Sequence, residues 1–572
     1  MCGIWSYINL CNKLELTPDK IANLMRIFYN LKHRGPDNSF FETYGNVCIG
    51  FHRLAIVSDN FISNQPFVIE KDNKVIVFVC NGEIYNHKEL RKGLQKCDDL
   101  YRDNKRSDCE VIPLLYLEHG PSKFQELFKY NKDNYIRGEF AFTLFEFTKD
   151  KHLQRIVAGR DSVGVRPLYY SSSSNTLIFS SEIKGIDDIT STIREFPPGQ
   201  IMMYNFDELY NLDSITMNKF FNPKQIIPLP NGASINNKEL LQGVYNSVIN
   251  SIRCRLDADK PVAFLLSGGV DSSLVAGISA KILGRPIRTF CCGMNEGTDL
   301  QYARKVAEHI GSDHTEVIFT PEEGLAAITD VIYTTETWDV TTIRASVGQY
   351  LVSKWIGEKT DCKVLMIGEG PDEICSSYLF NWYAPSGEAL HNCAVEYINK
   401  IHLYDVKRAD RCIARWGLEA RVPYLDPMFI DAYWTIPSDW RMPGYKGVEK
   451  WWLREAFNGS EVIPDEVLWR KKEAFSDAVS SKEKSWFQII QDWIETKVTD
   501  EELRNASSRF PYCTPLTKEA YYYRTIFVKL FRKDTQAIIP GFWQPKWSAD
   551  KKEVTEYIDP SARVLDIYNT TT

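Results

Sequence analysis

Absent from the 572 residues is any apolar run approaching the roughly 20 residues a membrane-spanning helix needs, and the first residues hold no basic segment followed by an apolar one. These absences lead us to expect a soluble, unsecreted, cytoplasmic protein with no membrane partner. Histidine is scarce, with nine residues and no His-Glu-x-x-His, and the 14 cysteines contain no Cys-x-x-Cys. Structural zinc is therefore not expected, and most cysteines read as small buried apolar residues kept reduced. Positive charge is not in excess: the net charge is -7, which suggests no nucleic-acid partner. Missing too is the Gly-Lys-Ser/Thr of the common P-loop. What remains, 44% hydrophobic and 25% charged, is ordinary for a globular chain long enough for more than one core.

The stretch Val262 to Ser273, VAFLLSGGVDSS, organises the rest. Its apolar start reads as a strand buried on both faces of a parallel sheet, and Asp271, Ser272 and Ser273 open a helix that runs on through LVAGISAKIL. Between them Ser267, Gly268 and Gly269 let an anion approach the main chain at a helix N-terminus. A tight turn needing glycine for geometry would read the same way if it stood alone. SGGVDSS, however, resembles the SGG-x-DS signature of the ATP pyrophosphatases, which adenylate a substrate and release pyrophosphate. That resemblance implies a loop holding pyrophosphate, with Asp271 binding Mg2+.

At the other end, Cys2 would present a thiol beside a free α-amine once Met1 is removed, so one residue could supply nucleophile and base. Thr17 and Pro18 cap a helix whose apolar face is Ile21, Leu24, Met25, Phe28 and Leu31, and strand-like runs such as VCIGFHRLAIV, VIVFVC and FAFTLFEF follow. Met1-Cys2-Gly3-Ile4, RGPD at Arg34 to Asp37, Arg53 in HRLAIV, NGEIYN at Asn81 to Asn86 and Asp108 in SDCEV together resemble the glutaminase domain of the N-terminal nucleophile amidotransferases. The resemblance implies an αββα sandwich and a glutaminyl thioester on Cys2, with Asn81 and the Gly82 N–H as oxyanion hole. Arg53, Leu54, Ala55, Ile56, Val57, Glu83 and Asp108 are the implied glutamine contacts.

Periodicity weakens from residue 205 to 237, which reads as a linker between a glutaminase domain (1–204) and a second domain (238–572). There, strands and helices alternate: VAFLL, IRTFCC, a helix closed by Gly311, TEVIF, a capping box at Thr320 to Glu323, a helix near Ala345 to Lys359, and KVLMI. The alternation predicts a doubly wound parallel sheet with added helices, so the fold class is two-domain α/β. Its ligand side should carry SGG, CGM after the second strand, and GEGPDE at Gly368 to Glu373.

ETWDVTTIRAS, GEGPDE, GLEARVPYLD, WRKKEAFSD and DPSARVL, spread over the second half, resemble the glutamine-hydrolysing asparagine synthetases. That likeness implies Leu266, Cys292, Ile367 and Gly368 beside ATP, Asp271 and Asp372 on magnesium, Glu369 in forming β-aspartyl-AMP and in ammonia attack, and Lys472 against phosphate charge. Thr342 and Arg344 are candidates for orienting aspartate. The implied partners are glutamine, aspartate and ATP, and the likeness suggests a homodimer. Pro371, Ile367 and Ala478 depart from the family pattern, as does SDNFISN after Val57, but none removes an assigned catalytic group. A related ATP-dependent amidotransferase with another carboxylate acceptor stays open as an alternative, weighed against by the intact Cys2. A binding or scaffolding protein on an inherited fold is the third reading.

Overall fold

The structure, a computed structural model, describes residues 1–10, 16–95, 106–130, 135–207, 211–232, 236–295, 297–472, 480, 484–550 and 552–561. Among the described residues, twelve strands build the amino-terminal half: β1 (Gly3–Asn9), β2 (Asn38–Tyr44), β3 (Val47–Arg53), β4 (Phe67–Lys71), β5 (Lys74–Ile84), β6 (Gly138–Thr148), β7 (Leu153–Arg160), β8 (Tyr169–Ser172), β9 (Thr176–Ser180), β10 (Arg194–Glu195), β11 (Gln200–Phe206) and β12 (Leu212–Lys219). They form two six-stranded antiparallel sheets, ordered β10-β8-β9-β1-β3-β2 and β12-β11-β7-β6-β5-β4.

Strand periodicity assigns the layers. In β1, Ile4 and Ile8 face the second sheet, where they meet Val77 and Val79 of β5; Trp5 and Tyr7 face outward against Leu24 and Phe28 of the helix Pro18–Phe28. Ile76 and Phe78, on the other face of β5, join a core with Val111, Leu114 and Leu115 of the helix Val111–Phe124. The expected αββα layering is what these alternations build.

The residues read as a linker need correction. β12 pairs with β11 from Gln200↔Lys219 to Phe206↔Leu212, so the second sheet runs on to residue 219. β12 is an edge strand exposed along most of its length, and no alternation of apolar and polar residues marked it.

The second half holds one parallel sheet of β13 (Val262–Leu265), β14 (Arg288–Gly293), β15 (Asp313–Ile318), β16 (Val364–Met366) and β17 (Glu419–Arg421), ordered β15-β14-β13-β16-β17. The order reverses between β13 and β16, which places a crevice beyond their carboxyl ends. The capping box at Thr320 and Glu323 forms as expected. The helix expected near Ala345 starts earlier, at Val340, because the Asp339 side chain accepts from the Thr342 N–H and caps it.

Buried ion pairs join the halves. Arg255 meets Glu139 at 2.7 Å and Asp426 at 2.9 Å, and Arg34 meets Glu182 at 2.6 Å and Asp410 at 2.8 Å. Such pairs add little net stability over apolar packing, yet losing one partner costs about 3–5 kcal/mol, so they fix the mutual orientation of the domains.

Candidate functional site

The first centre lies where β1, β3 and β5 meet the second domain. Cys2 packs with Leu54, Ile56 and Val57 against Val262 and Val364, so both sheets that carry chemistry share this contact. Its Sγ lies 3.5 Å from the Leu54 N–H and 3.7 Å from the Leu54 carbonyl. With Met1 in place the Cys2 nitrogen is a peptide nitrogen, and burial pushes the thiol up to about 11. Met1 is itself buried, its ammonium 3.8 Å from Glu419 and pushed down to about 6 by burial. Losing Met1 therefore changes the chemistry at Cys2 most directly.

Asn81 is wholly buried, and neither oxygen nor nitrogen of its carboxamide has a partner among the described residues. An unpaired buried amide costs about 1–3 kcal/mol, which suits a group held ready for something absent from the chain. Gly82 follows at φ 156°, and a Cβ there would stand 2.2 Å from the Glu139 carbonyl, so only glycine fits between β5 and β6.

Asp108 is buried and accepts from the Ile84 N–H at 2.6 Å, which brings it to the end of β5. Arg53 ends β3, and its guanidinium donates to Asn64 Oδ1 at 2.5 Å and to the Ser58 carbonyl. Ala55 donates its N–H to Asp37 at 2.8 Å. Glu83 is instead 3.4 Å from Arg421, and burial and the nearby Asp108 hold its carboxyl well above the usual range.

The second centre is a cavity of about 240 Å3 at the crevice between β13 and β16. Of the expected nucleotide residues, Leu266, Ser267, Gly269, Asp271, Ser272, Cys292, Ile367 and Gly368 line it, as do Glu369, Asp372 and Lys472. Gly268 and Ser273 do not. Gly268, at φ 73°, turns its backbone onto the helix Thr298–Ile310, where a Cβ would meet the Ala303 nitrogen at 2.5 Å, and Ser273 is fully buried inside its helix. The Ser267 N–H donates to Ser272 Oγ at 3.1 Å, which folds the serine-glycine loop over the helix start.

Asp271 and Asp372 converge on one ammonium. Lys450 Nζ is 2.5 Å from Asp271 Oδ2 and 2.6 Å from Asp372 Oδ1, while Lys472 takes the other Asp372 oxygen. Burial would raise the Asp372 carboxyl, but these two lysines hold it far below the usual carboxylate range. Asp271 Oδ1 is buried without a partner among the described residues. No cluster of three or more His, Cys, Asp or Glu among the described residues would hold a metal unaided. Two carboxylates aimed at one cation, one with a spare oxygen, nevertheless fit magnesium completed by phosphate oxygens.

Glu369 pairs with Arg408 at 3.0 Å; burial raises its carboxyl above the ordinary range and Arg408 opposes the shift. Lys450 and Arg408 carried no sequence signal, because each meets its partner only through the fold.

Thr342 and Arg344, the residues expected to orient aspartate, do not line this cavity. Thr342 donates its hydroxyl to Asp339 at 2.7 Å, and Arg344 is buried between Glu519 at 2.6 Å and Asp559 at 2.8 Å. The face of that helix turned to the cavity is instead Thr341, Ala345 and Gln349, at the i, i+4 spacing of one helical stripe. Pro371 opens the short helix Pro371–Ile374, a position needing no N–H. Ala478 lies outside the described residues.

Comparison with known proteins places this geometry. The glutamine amidotransferase domain model matches residues 1–239, and the asparagine synthase model matches 243–393 and 383–556. The asparagine synthetase [glutamine-hydrolyzing] of Homo sapiens is 38% identical over 596 residues, with 99% of each chain covered. Those of Gallus gallus and Rattus norvegicus are also 38% identical, over 594 residues (99% of each chain) and 599 residues (100% of each).

Proposed function

The chain belongs to the glutamine-hydrolysing asparagine synthetases, and from that premise we propose how its two centres divide the reaction. The overall chemistry is ATP-dependent synthesis of asparagine from aspartate, with glutamine converted to glutamate as the nitrogen donor.

After loss of Met1, the Cys2 amine takes the thiol proton and Sγ attacks the glutamine side-chain carbonyl. Asn81 and the Gly82 N–H receive the developing oxyanion, in a role worth about 3 kcal/mol per donor. The amide nitrogen leaves as ammonia with the proton returned by the amine, and water releases glutamate from the thioester. Arg53 takes the glutamine carboxylate and Asp108 its ammonium.

In the second centre an aspartate β-carboxylate oxygen attacks the α-phosphorus of ATP, and pyrophosphate leaves into the Ser267–Ser273 loop. Lys472 and Lys450 face the charge of the leaving group. Asp271 and Asp372 would hold Mg2+, which supplies charge neutralisation for the phosphate oxygens. Ammonia then adds to the β-aspartyl carbonyl, AMP departs, and Glu369 receives the proton. Its raised carboxyl is better matched to that transfer than an ordinary glutamate.

The observation that carries this reading is the single cavity on which Ser267, Asp271, Glu369, Asp372 and Lys472 all open. Product identification after incubation with glutamine, aspartate and Mg-ATP tests it. Asparagine, glutamate, AMP and pyrophosphate should appear in equal amounts. ADP and phosphate in their place would overturn it.

A further inference from the structure

The Arg53 guanidinium is held from behind. Its Nη1 donates to Asn64 Oδ1 at 2.5 Å and to the Asn60 carbonyl at 3.4 Å, and Nη2 donates to the Ser58 carbonyl. Nε donates to no group among the described residues. That leaves the Nε–H free to take a carboxylate oxygen from the open side of the guanidinium.

Ser58 is the unusual member of this arrangement. It sits at φ 62°, in the left-handed region that a residue with a Cβ enters only when its surroundings require it. What holds it comes from the other domain: the Ser58 N–H donates to Asp259 Oδ2 at 2.7 Å, and the Asp259 N–H donates back to the Ile56 carbonyl at 3.1 Å. The two bonds bracket Val57 and fix the turn after β3. Lys260 adds an ion pair to Asp59 at 2.7 Å, but Asp59 is well exposed and Lys260 only half-buried, so the pair contributes little.

Asp259 lies three residues before β13, the strand that ends in the serine-glycine loop. Pro261 and Lys363, beside it, line a cleft of about 630 Å3 together with Arg53, Ala55 and Asn64. The glutamine-recognition turn is therefore built partly by the synthetase domain.

We propose that Asp259 is a positioning residue for glutamine use. Its carboxylate fixes Ser58, and the Ser58 carbonyl aims the Arg53 guanidinium at the glutamine α-carboxylate. The proposal rests on the reading of Arg53 as the carboxylate partner. Its consequence is that a residue of the ATP-using domain sets the Michaelis constant of the other domain's substrate.

The test is steady-state kinetics on Asp259→Ala, Asp259→Asn and Arg53→Ala in the full chain, with glutamine or ammonium as nitrogen source. Asp259→Ala should raise the glutamine KM about tenfold, the scale of one lost charge-assisted bond, with kcat for glutamine hydrolysis and all ammonium-dependent constants unchanged. Asp259→Asn keeps an acceptor for the Ser58 N–H and should recover most of the loss. Denaturation midpoints should match the parent, since Asp259 is exposed.

If Arg53→Ala raises the glutamine KM and Asp259→Ala does not, the relay is overturned and the reading of Arg53 stands. If Arg53→Ala leaves that KM unchanged, the reading of Arg53 fails and the relay through it fails too. A loss of ammonium-dependent activity in Asp259→Ala equal to the loss with glutamine would show a general structural role and overturn the proposal.

Discussion

Lys450 sets its ammonium 2.5 Å from an Asp271 carboxylate oxygen and, through the same nitrogen, joins the serine-glycine loop to Asp372. Burial disfavours the charge on Lys450, but Asp271 and Asp372 hold it protonated. A divalent cation in this place would compete for the same two oxygens. Lys450→Met leaves Asp271 without a counter-charge among the described residues, whereas Asp372 keeps Lys472. We expect a loss of about 2–3 kcal/mol in chemical denaturation, below the full cost of a broken buried pair because both carboxylates retain some exposure. Added Mg2+ should stabilise the variant more than the parent, and ammonium-dependent synthesis should fall. A midpoint indifferent to Mg2+ would separate these carboxylates from the metal.

Asn81 offers a prediction in which stability and activity part. Its carboxamide makes no bond that Asn81→Ala could break, so the unfolding free energy should stay within about 1 kcal/mol of the parent. Glutamine hydrolysis should nevertheless lose about 10²–10³ in kcat, as removal of an oxyanion donor does. Thermal unfolding beside a glutaminase assay decides it; a stable variant with normal kcat would remove Asn81 from the oxyanion hole.

The residues legible in the sequence are those whose meaning is local. Gly268 and Gly269 announce a strand-to-helix loop, Thr320 and Glu323 a helix start, and Cys2 a terminal nucleophile, each within a few positions of its consequences. Lys450 stands 179 residues from Asp271 and 78 from Asp372, so nothing near it hints at its partners. Thr342 and Arg344 lie off the cavity through a rotation: one residue turns a helix by about 100°, and the cavity receives Thr341 and Ala345. β12 was hidden because an exposed edge strand lacks the alternation by which strands are read. Sequence pattern gave the layers, while the pairings across them came only from the fold.

Cys2→Ala should divide the activities between the centres. Hydrolysis of glutamine and synthesis from it should fall at least about a thousandfold, the scale of losing a covalent nucleophile. Synthesis from ammonium salt should persist, because among the described residues the cavity at β13 and β16 draws no lining residue from the amino-terminal domain. Parallel assays with the two nitrogen sources measure this directly. Loss of both at unchanged stability would mean that Cys2 also serves the second centre.

Glu195 gives the pH dependence of the domain contact. It lies on β10, and burial alone would raise its carboxyl. Lys407 and His402 of the second half, with Arg160, bring it instead down to about 2. A carboxyl lowered on folding binds fewer protons in the native state than in the unfolded chain. Its contribution is therefore complete above the unfolded value of 4.5 and drains away as pH falls from there toward 2. The shift corresponds to about 3 kcal/mol. Glu195→Gln should lose most of that at neutral pH, and its stability should fall less steeply than the parent's between pH 4.5 and 2. Denaturant titrations at a series of pH values would show it. Parallel curves for parent and variant across that window would mean that Glu195 is not the group whose protonation loosens this contact.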